Sequence, residues 1–228
     1  MRVKLGIAAG LVLAAICMSS AAFAVLYQDD FEGYLPGELP ASWSVVQGAW
    51  EILDGTLFYD PWNQGTPPGK MRYNEGYGWT DYSVTATLLI TDGDAYIGGR
   101  INSVGAGYYV RRLISDQYGS KLELRGTGIG GLGVADFPND WQAHDITLSF
   151  EGSSIKVFVD GGATPVISAT NSVYTGGTIG VTVGGGYFIG YDDVVVTGDP
   201  VPEPSGIVAF AGSLLGLAGM LRRRIIAG

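Results

Sequence analysis

The chain has 228 residues, with 13 Lys+Arg against 22 Asp+Glu and a net charge of −9, a balance that argues against a nucleic-acid partner, which needs a basic face. One Cys and one His exclude most metal and nucleophile chemistry, and 46% hydrophobic with 11% aromatic residues exclude a disordered chain. Thirty-seven Gly, ten Pro and thirteen Tyr beside only 15% charged residues point instead to a turn-rich, all-β protein.

Arg2 and Lys4 precede an apolar run from Leu5 to Met18, after which Ala22 and Ala24 stand at the small-x-small spacing read by signal peptidase. Residues 1–24 are therefore expected to be a signal peptide cut after Ala24. An uncleaved anchor is the alternative, although the 14-residue run is short of the roughly 20 that a span needs. Cys17 leaves with the signal, so the exported domain, residues 25–200, must be stable without disulfides. Removing residues 1–24 and everything after Pro204 takes away Arg2, Lys4, Arg222, Arg223 and Arg224 and no acidic residue, leaving eight basic against 22 acidic and a charge of −14. Such a charge keeps a domain soluble and is expected to repel anionic polymers.

Period-2 patterns recur through residues 25–200. Tyr82, Val84, Ala86, Leu88 and Ile90 share one strand face while Ser83, Thr85 and Thr87 take the other; Ile146, Leu148 and Phe150 alternate in the same way with Asp145, Thr147, Ser149 and Glu151. Hairpin signals separate such runs at Asp54-Gly55, Asp92-Gly93, Tyr118-Gly119, Glu151-Gly152 and Asp160-Gly161. About a dozen strands are expected, spaced as in a sandwich or barrel, with no helical period. No fixed-period repeat is visible, which disfavours propellers and solenoids. The Gly-rich stretch Gly126 to Gly133 lacks the strand-to-helix context and the Lys of a phosphate cradle.

Asp29-Asp30-Phe31-Glu32, Trp43 to Ile52 with Asp54-Gly55-Thr56-Leu57, and Trp79 to Val84 stand in order along the chain, followed by Gly107 to Val110, Ile155 to Gly161, Gly177 to Val181 and Tyr191 to Val196. Together they resemble a concanavalin A-like, or laminin G-like, jelly roll. The resemblance implies two stacked antiparallel sheets, adjacent N- and C-terminal strands, and core positions for Trp43, Trp50 and Trp141. It implies a fold and not a ligand.

Glycosidases need two carboxylates about 5 to 10 Å apart. Laminarinase-type members of that superfamily carry Glu-x-Asp-x-x-Glu, which is absent here: Glu123 is flanked by leucines, with Lys121 and Arg125 two residues away. The nearest carboxylate pair at i,i+2, Asp92 and Asp94, sits in a turn signal and reads as turn chemistry. No catalytic residue is expected, and the protein reads as a non-enzyme. Asp29, Asp30, Asp192 and Asp193 are the candidate ligands for a structural calcium at the seam of the first and last strands, or else edge charges of an acidic protein. His144 reads as structural or as a solvated strand start. Candidates for a glycan-binding face are Trp62, Tyr77, Trp79, Tyr108, Tyr109 and Arg111, with Tyr73, Tyr118, Arg100, Asn102 and Arg112 nearby in sequence. Flat aromatic rings stack on sugars while guanidinium and amide groups bond hydroxyls, and an alternating strand must turn one of Tyr108 and Tyr109 outward.

At the C-terminus Val201, Pro202, Glu203 and Pro204 lead into sixteen uncharged residues, Gly206 to Leu221, and then Arg222, Arg223 and Arg224. The run reaches ~24 Å as a helix, short of a ~30 Å membrane core unless the arginines snorkel, and those arginines hold the tip in the cytoplasm. Two prolines keep the lip of the segment extended. The order resembles the PEP-CTERM sorting signal of Gram-negative bacteria. The resemblance implies export through the inner membrane, transient anchoring by the transmembrane helix of a sorting signal that spans residues 201–228, cleavage near Pro202-Glu203-Pro204 by an exosortase, and delivery to the cell surface or extracellular matrix. A plain tail anchor is the alternative. The whole then reads as an exported protein that associates with polysaccharide or matrix, its rivals being a sugar hydrolase or lyase and a purely structural coat component.

Overall fold

Alternating apolar and polar residues bounded by Gly and Asp turns dictate short strands that bury one face each. A computed structural model describes residues 23–59, 68–90, 93–115, 119–140, 142–185 and 189–198. Most of the signal peptide, the whole Val201–Pro204 motif with its apolar run and arginines, and Trp62, Tyr118 and Trp141 lie outside the described residues.

Among the described residues there are fifteen strands and no helix. The first sheet holds β1 (Ala24–Asp29), β3 (Trp50–Leu53), β4 (Thr56–Tyr59), β6 (Tyr82–Ile90), β11 (His144–Glu151), β12 (Ser154–Val159), β13 (Ile167–Thr170) and β15 (Ile189–Gly198). Its order is β13-β12-β11-β6-β15-β4-β3, with β1 also paired to β15. The second holds β2 (Trp43–Gln47), β5 (Gly69–Tyr73), β7 (Asp94–Ile101), β8 (Tyr108–Ser115), β9 (Gly119–Gly126), β10 (Gly130–Asp136) and β14 (Thr178–Gly185), in the order β10-β9-β8-β7-β14-β5-β2. All pairings are antiparallel, and the first and last strands are neighbours, as the sequence implied.

The inward faces are those of the alternation: Tyr82, Val84, Ala86 and Leu88 on β6 and Ile146, Leu148 and Phe150 on β11 are buried, and Trp43 and Trp50 join the core. Each Val, Leu, Ile or Phe side chain so buried contributes about 1.5–3 kcal/mol. Tyr108 of β8 meets Phe150 of β11 across the interior at 5.9 Å. Asp54 (φ 49°) and Gly55 (φ 75°) both adopt the left-handed conformation of a type I′ turn, which is why Asp-Gly joins β3 to β4. On the outside of the first sheet, Ser83–Ser149, Thr85–Thr147 and Thr87–Asp145 form a ladder of hydroxyl hydrogen bonds.

Two bulges change which neighbours and which face the strands present. Asp192–Val195 shifts register on β15, and there the strand exchanges β4 for β1 as its outer neighbour. On β7 the extra residue falls at Arg100 (φ 49°), between the Gly98–Gly180 and Ile101–Thr178 pairs. The bulge turns Arg100 inward and leaves Ile101 on the same outer face as Gly98.

His144 opens β11 and is buried rather than solvated. Its Nδ1 lies 2.9 Å from Asp160 and its Nε2 3.0 Å from Asp140, and its ring packs edge-on against Phe137. Burial pushes its pKa down, but the hydrogen bonds and charges of Asp140 and Asp160 outweigh that, so the net direction is up, while the bond from His144 pulls Asp140 down. A raised folded pKa stabilises below the unfolded value of 6.5 and loses that contribution as pH rises through the folded value; a lowered Asp140 contributes above 3.8. Stability from this corner is thus greatest between about pH 4 and 6.5. The melting temperature is expected to fall from pH 6 to pH 8.5, and His144→Gln to flatten that slope; an equal slope in the variant would remove His144 as its source.

Candidate functional site

The outward rows of the second sheet are built from strands distant in sequence. Tyr109, Arg111 and Leu113 point away from the core because Tyr108, Val110 and Arg112 point into it, and the same parity turns Lys121, Glu123 and Arg125 outward on β9. Register then fixes the neighbours. One row runs Ser44, Arg72, Gly180, Gly98, Tyr109, Arg125; the next runs Gln47, Lys70, Thr182, Tyr96, Arg111, Glu123.

Gly98 and Gly180 carry no side chains of their own, so the Tyr109 ring packs down over Gly98 and the Ile101 Cδ1 over both, leaving a shallow trough on either side of that ring. A hollow of about 230 Å³ is lined by Lys70, Arg72, Ile101, Tyr109, Thr182 and the loop Ser103–Gly105. A second, of about 260 Å³, is lined by Tyr96, Tyr109, Arg125 and the turn at Gly126–Gly130. The Tyr109 ring stands between them, its hydroxyl donating to the Gly105 carbonyl at 2.8 Å. Burial pushes its pKa up to about 12, so the phenol stays neutral. Burial also raises Tyr96. Arg72 holds the same loop by donating to the Ser103 carbonyl at 2.9 Å, and its guanidinium lies 5.7 Å from the Tyr77 ring.

Beside this trough lies a charged network. Arg111 pairs with Asp94 and, at 3.8 Å, with Glu123, while its guanidinium covers the Tyr96 ring at 5.4 Å. Arg125 reaches Glu123 at 3.6 Å, and Lys121 pairs with Asp136. Asp94 is therefore a member of the outer face and not a turn residue.

Of the sequence candidates, Tyr109 and Arg111 are on this face, and Tyr77 adjoins it through Arg72. Tyr108 is not: it is fully buried and donates to Asn171 at 2.6 Å. Trp79 is also displaced, stacked on Tyr73 at 5.7 Å and edge-on to Tyr82, so it covers one end of the core. Tyr73, Arg100 and Arg112 are buried as well, and Asn102 caps its own loop through Val104 and Ala106. Lys70, Arg72, Tyr96, Arg125 and Thr182 are not among the sequence candidates. Their signal is present in Lys70-Met-Arg72, Asp94-Ala-Tyr96 and Lys121-Leu-Glu123-Leu-Arg125, where polar and apolar residues alternate.

The acidic seam is real but is occupied by its own bonds. Asp29 accepts hydrogen bonds from the Tyr27 and Tyr34 hydroxyls and the Phe31 amide; Asp30 accepts from the Glu32 amide, and Asp192 from the Asp193 amide. Burial, with the charges of Asp193, Glu32 and Asp30, raises the Asp192 pKa. Among the described residues no three carboxylate or imidazole groups are arranged to hold a metal ion.

Two sheets in this order define the galectin-like, concanavalin A-like jelly roll. Solved structures of several kinds share it. The carbohydrate-binding module CBM66 from Bacillus subtilis matches with a TM-score of 0.56 and 16% identity over 68% of this chain and 95% of the module. A non-specific endo-β-1,3(4)-glucanase from family GH16 matches at 0.58 and 12% over 79% and 93%. The exoplasmic/lumenal domain of VIP36 in its Ca2+/Man2-bound form matches at 0.56 and 11% over 81% and 92%. No family model and no curated protein matches the sequence. At these identities the shared property is the fold.

Proposed function

We propose that the domain binds polysaccharide without cleaving it, through the outer face of β5, β14, β7, β8 and β9. The observation that carries this reading is the Tyr109 ring, packed over Gly98 between two hollows, with cationic donors on both sides. An aromatic wall and nearby guanidinium and ammonium groups are what a sugar ring and its hydroxyls require. Both carboxylates of the central network, Asp94 and Glu123, are engaged by Arg111, which supports binding over hydrolysis. The sugar-bound and sugar-binding neighbours of the same fold agree with this use of it. The leader and the Pro-Glu-Pro tail support a site of action outside the cell, with signal peptidase and an exosortase as processing partners and surface or matrix polysaccharide as the ligand.

Affinity electrophoresis against a panel of neutral and acidic polysaccharides tests the reading. Tyr109→Ala is expected to weaken retention about tenfold, the equivalent of one good stacking contact, and Tyr109→Phe to keep most of it. Retention of the wild type that Tyr109→Ala leaves unchanged would refute the trough as the site, and release of reducing sugar would replace binding by hydrolysis.

A further inference from the structure

The charge of this protein is not spread evenly. Five of the eight basic residues in residues 25–204, Lys70, Arg72, Arg111, Lys121 and Arg125, project from the outer face of the second sheet. Three carboxylates share that face, and each is engaged by a neighbouring cation: Asp94 by Arg111, Glu123 by Arg111 and Arg125, and Asp136 by Lys121. Lys70 and Arg72 remain, and neither has a carboxylate partner among the described residues.

Those two residues sit two apart on β5, so their side chains rise from one face about 6.5–7 Å apart, both lining the 230 Å³ hollow. Arg72 spends one terminal nitrogen on the Ser103 carbonyl; its Nε is buried and has no hydrogen-bond partner among the described residues. A buried donor without a partner costs stability unless something completes it. Elsewhere on the described surface carboxylates predominate, so a polyanion is repelled from the other faces and is steered to this one. The expectation that the net charge repels anionic polymers therefore fails locally: an average over the chain hides a face on which cations are in excess.

Resting on the glycan-binding reading above, we propose that the ligand is an anionic polysaccharide, a uronate carboxylate or a sulfate ester of which is held in the hollow by Lys70 and Arg72 while an adjoining ring packs on Tyr109. Guanidinium and ammonium groups bond such oxyanions with charge-assisted hydrogen bonds, stronger than those to neutral hydroxyls.

Affinity gels of the full chain in polygalacturonate, dextran sulfate and neutral dextran decide the point. The wild type is expected to be retained at least about tenfold more strongly by one or both anionic polymers than by dextran, and Lys70→Gln/Arg72→Gln to lose about tenfold of that excess. Lys70→Gln alone, at a side chain with no ion pair to lose among the described residues, should lose part of it at an unchanged melting temperature, which separates binding from folding. Lys156→Gln removes the same charge from β12 of the other sheet and should leave retention unaltered. Preference for polygalacturonate identifies the carboxylate, and preference for dextran sulfate the sulfate ester. Retention by polygalacturonate and by dextran sulfate that is no stronger than by dextran overturns the proposal and leaves polysaccharide binding standing. Anionic retention that the double variant keeps, or that Lys156→Gln also loses, overturns it as diffuse charge. Retention by none of the three overturns it too, and the broader reading then rests on the Tyr109 variants and the wider panel.

Discussion

Arg100→Met is expected to lower the melting temperature by on the order of 10 °C, whereas Arg112→Met leaves it unchanged or raises it. Both residues are 1% exposed, so burial does not distinguish them. Their partners do. Arg100 donates through Nε to the Thr80 carbonyl at 2.9 Å, through Nη1 to the Tyr174 carbonyl at 3.2 Å and through Nη2 to Asp81 at 3.4 Å, and lies 4.8 Å from the Phe150 ring. Its removal takes the donor from two carbonyls at one end of the sandwich, at about 1–3 kcal/mol for each left without a partner, while Asp81, half exposed, keeps the Gly152 amide at 2.6 Å. Among the described residues Arg112 has no hydrogen bond on Nε, Nη1 or Nη2, and its guanidinium lies 5.0 Å from the Phe137 ring. Burial lowers its pKa, opposed by the charge of Asp140. Replacing a buried, unsatisfied charge by an apolar side chain of similar volume is neutral or stabilising by about 1–4 kcal/mol. Thermal unfolding of the two variants, followed by circular dichroism, settles it: equal losses would mean that Arg112 has a partner of the same worth.

The same two arginines mark where the sequence stops being legible. Alternation is a local property, so the inward faces of β6 and β11, the Asp54-Gly55 turn and the antiparallel class can be read directly. Parity also requires that one of Tyr108 and Tyr109 face out. Deciding between them needs the register of β8, and the run Tyr108, Val110, Arg112 misleads, because a residue that composition assigns to the surface lies inside. At Arg100 the difficulty is the bulge: one extra residue reverses parity, and nothing in Gly98-Gly99-Arg100-Ile101 announces it. Trp79 has the character of a sugar platform and instead closes the core, since its ring meets Tyr73 and Tyr82. The trough is assembled by non-local pairing. Lys70, Thr182, Tyr96 and Arg111 become neighbours only because β14 inserts between β5 and β7, and no single strand carries that order.

Two glycines, Gly177 just before β14 and Gly98 within β7, separate stability from binding in the same way. Gly177→Ala is expected to cost about 2–6 kcal/mol and on the order of 10 °C in melting temperature, because it combines a forbidden backbone with an immovable neighbour. Gly177 has φ 143°, where side-chain-bearing residues are strained, and an added Cβ would lie 2.5 Å from the Ile101 carbonyl oxygen and 2.6 Å from the Arg100 carbonyl carbon. Its own amide bonds the Trp79 carbonyl at 2.9 Å and its carbonyl accepts the Tyr82 hydroxyl at 3.0 Å, so the backbone has no slack to move away. Gly98→Ala meets different atoms: the Tyr109 ring at 2.6 Å and the Ile101 Cδ1 at 2.9 Å, both on side chains that can turn. Its expected cost is about 1–2 kcal/mol, yet the methyl group rises from the trough floor and tilts the ring that divides the two hollows. Polysaccharide retention should therefore fall at least as far in Gly98→Ala as in Tyr109→Ala while the fold persists. Retention at the wild-type level with a displaced Tyr109 would place the sugar elsewhere on the sheet, since a ligand stacked on that ring cannot be indifferent to its tilt.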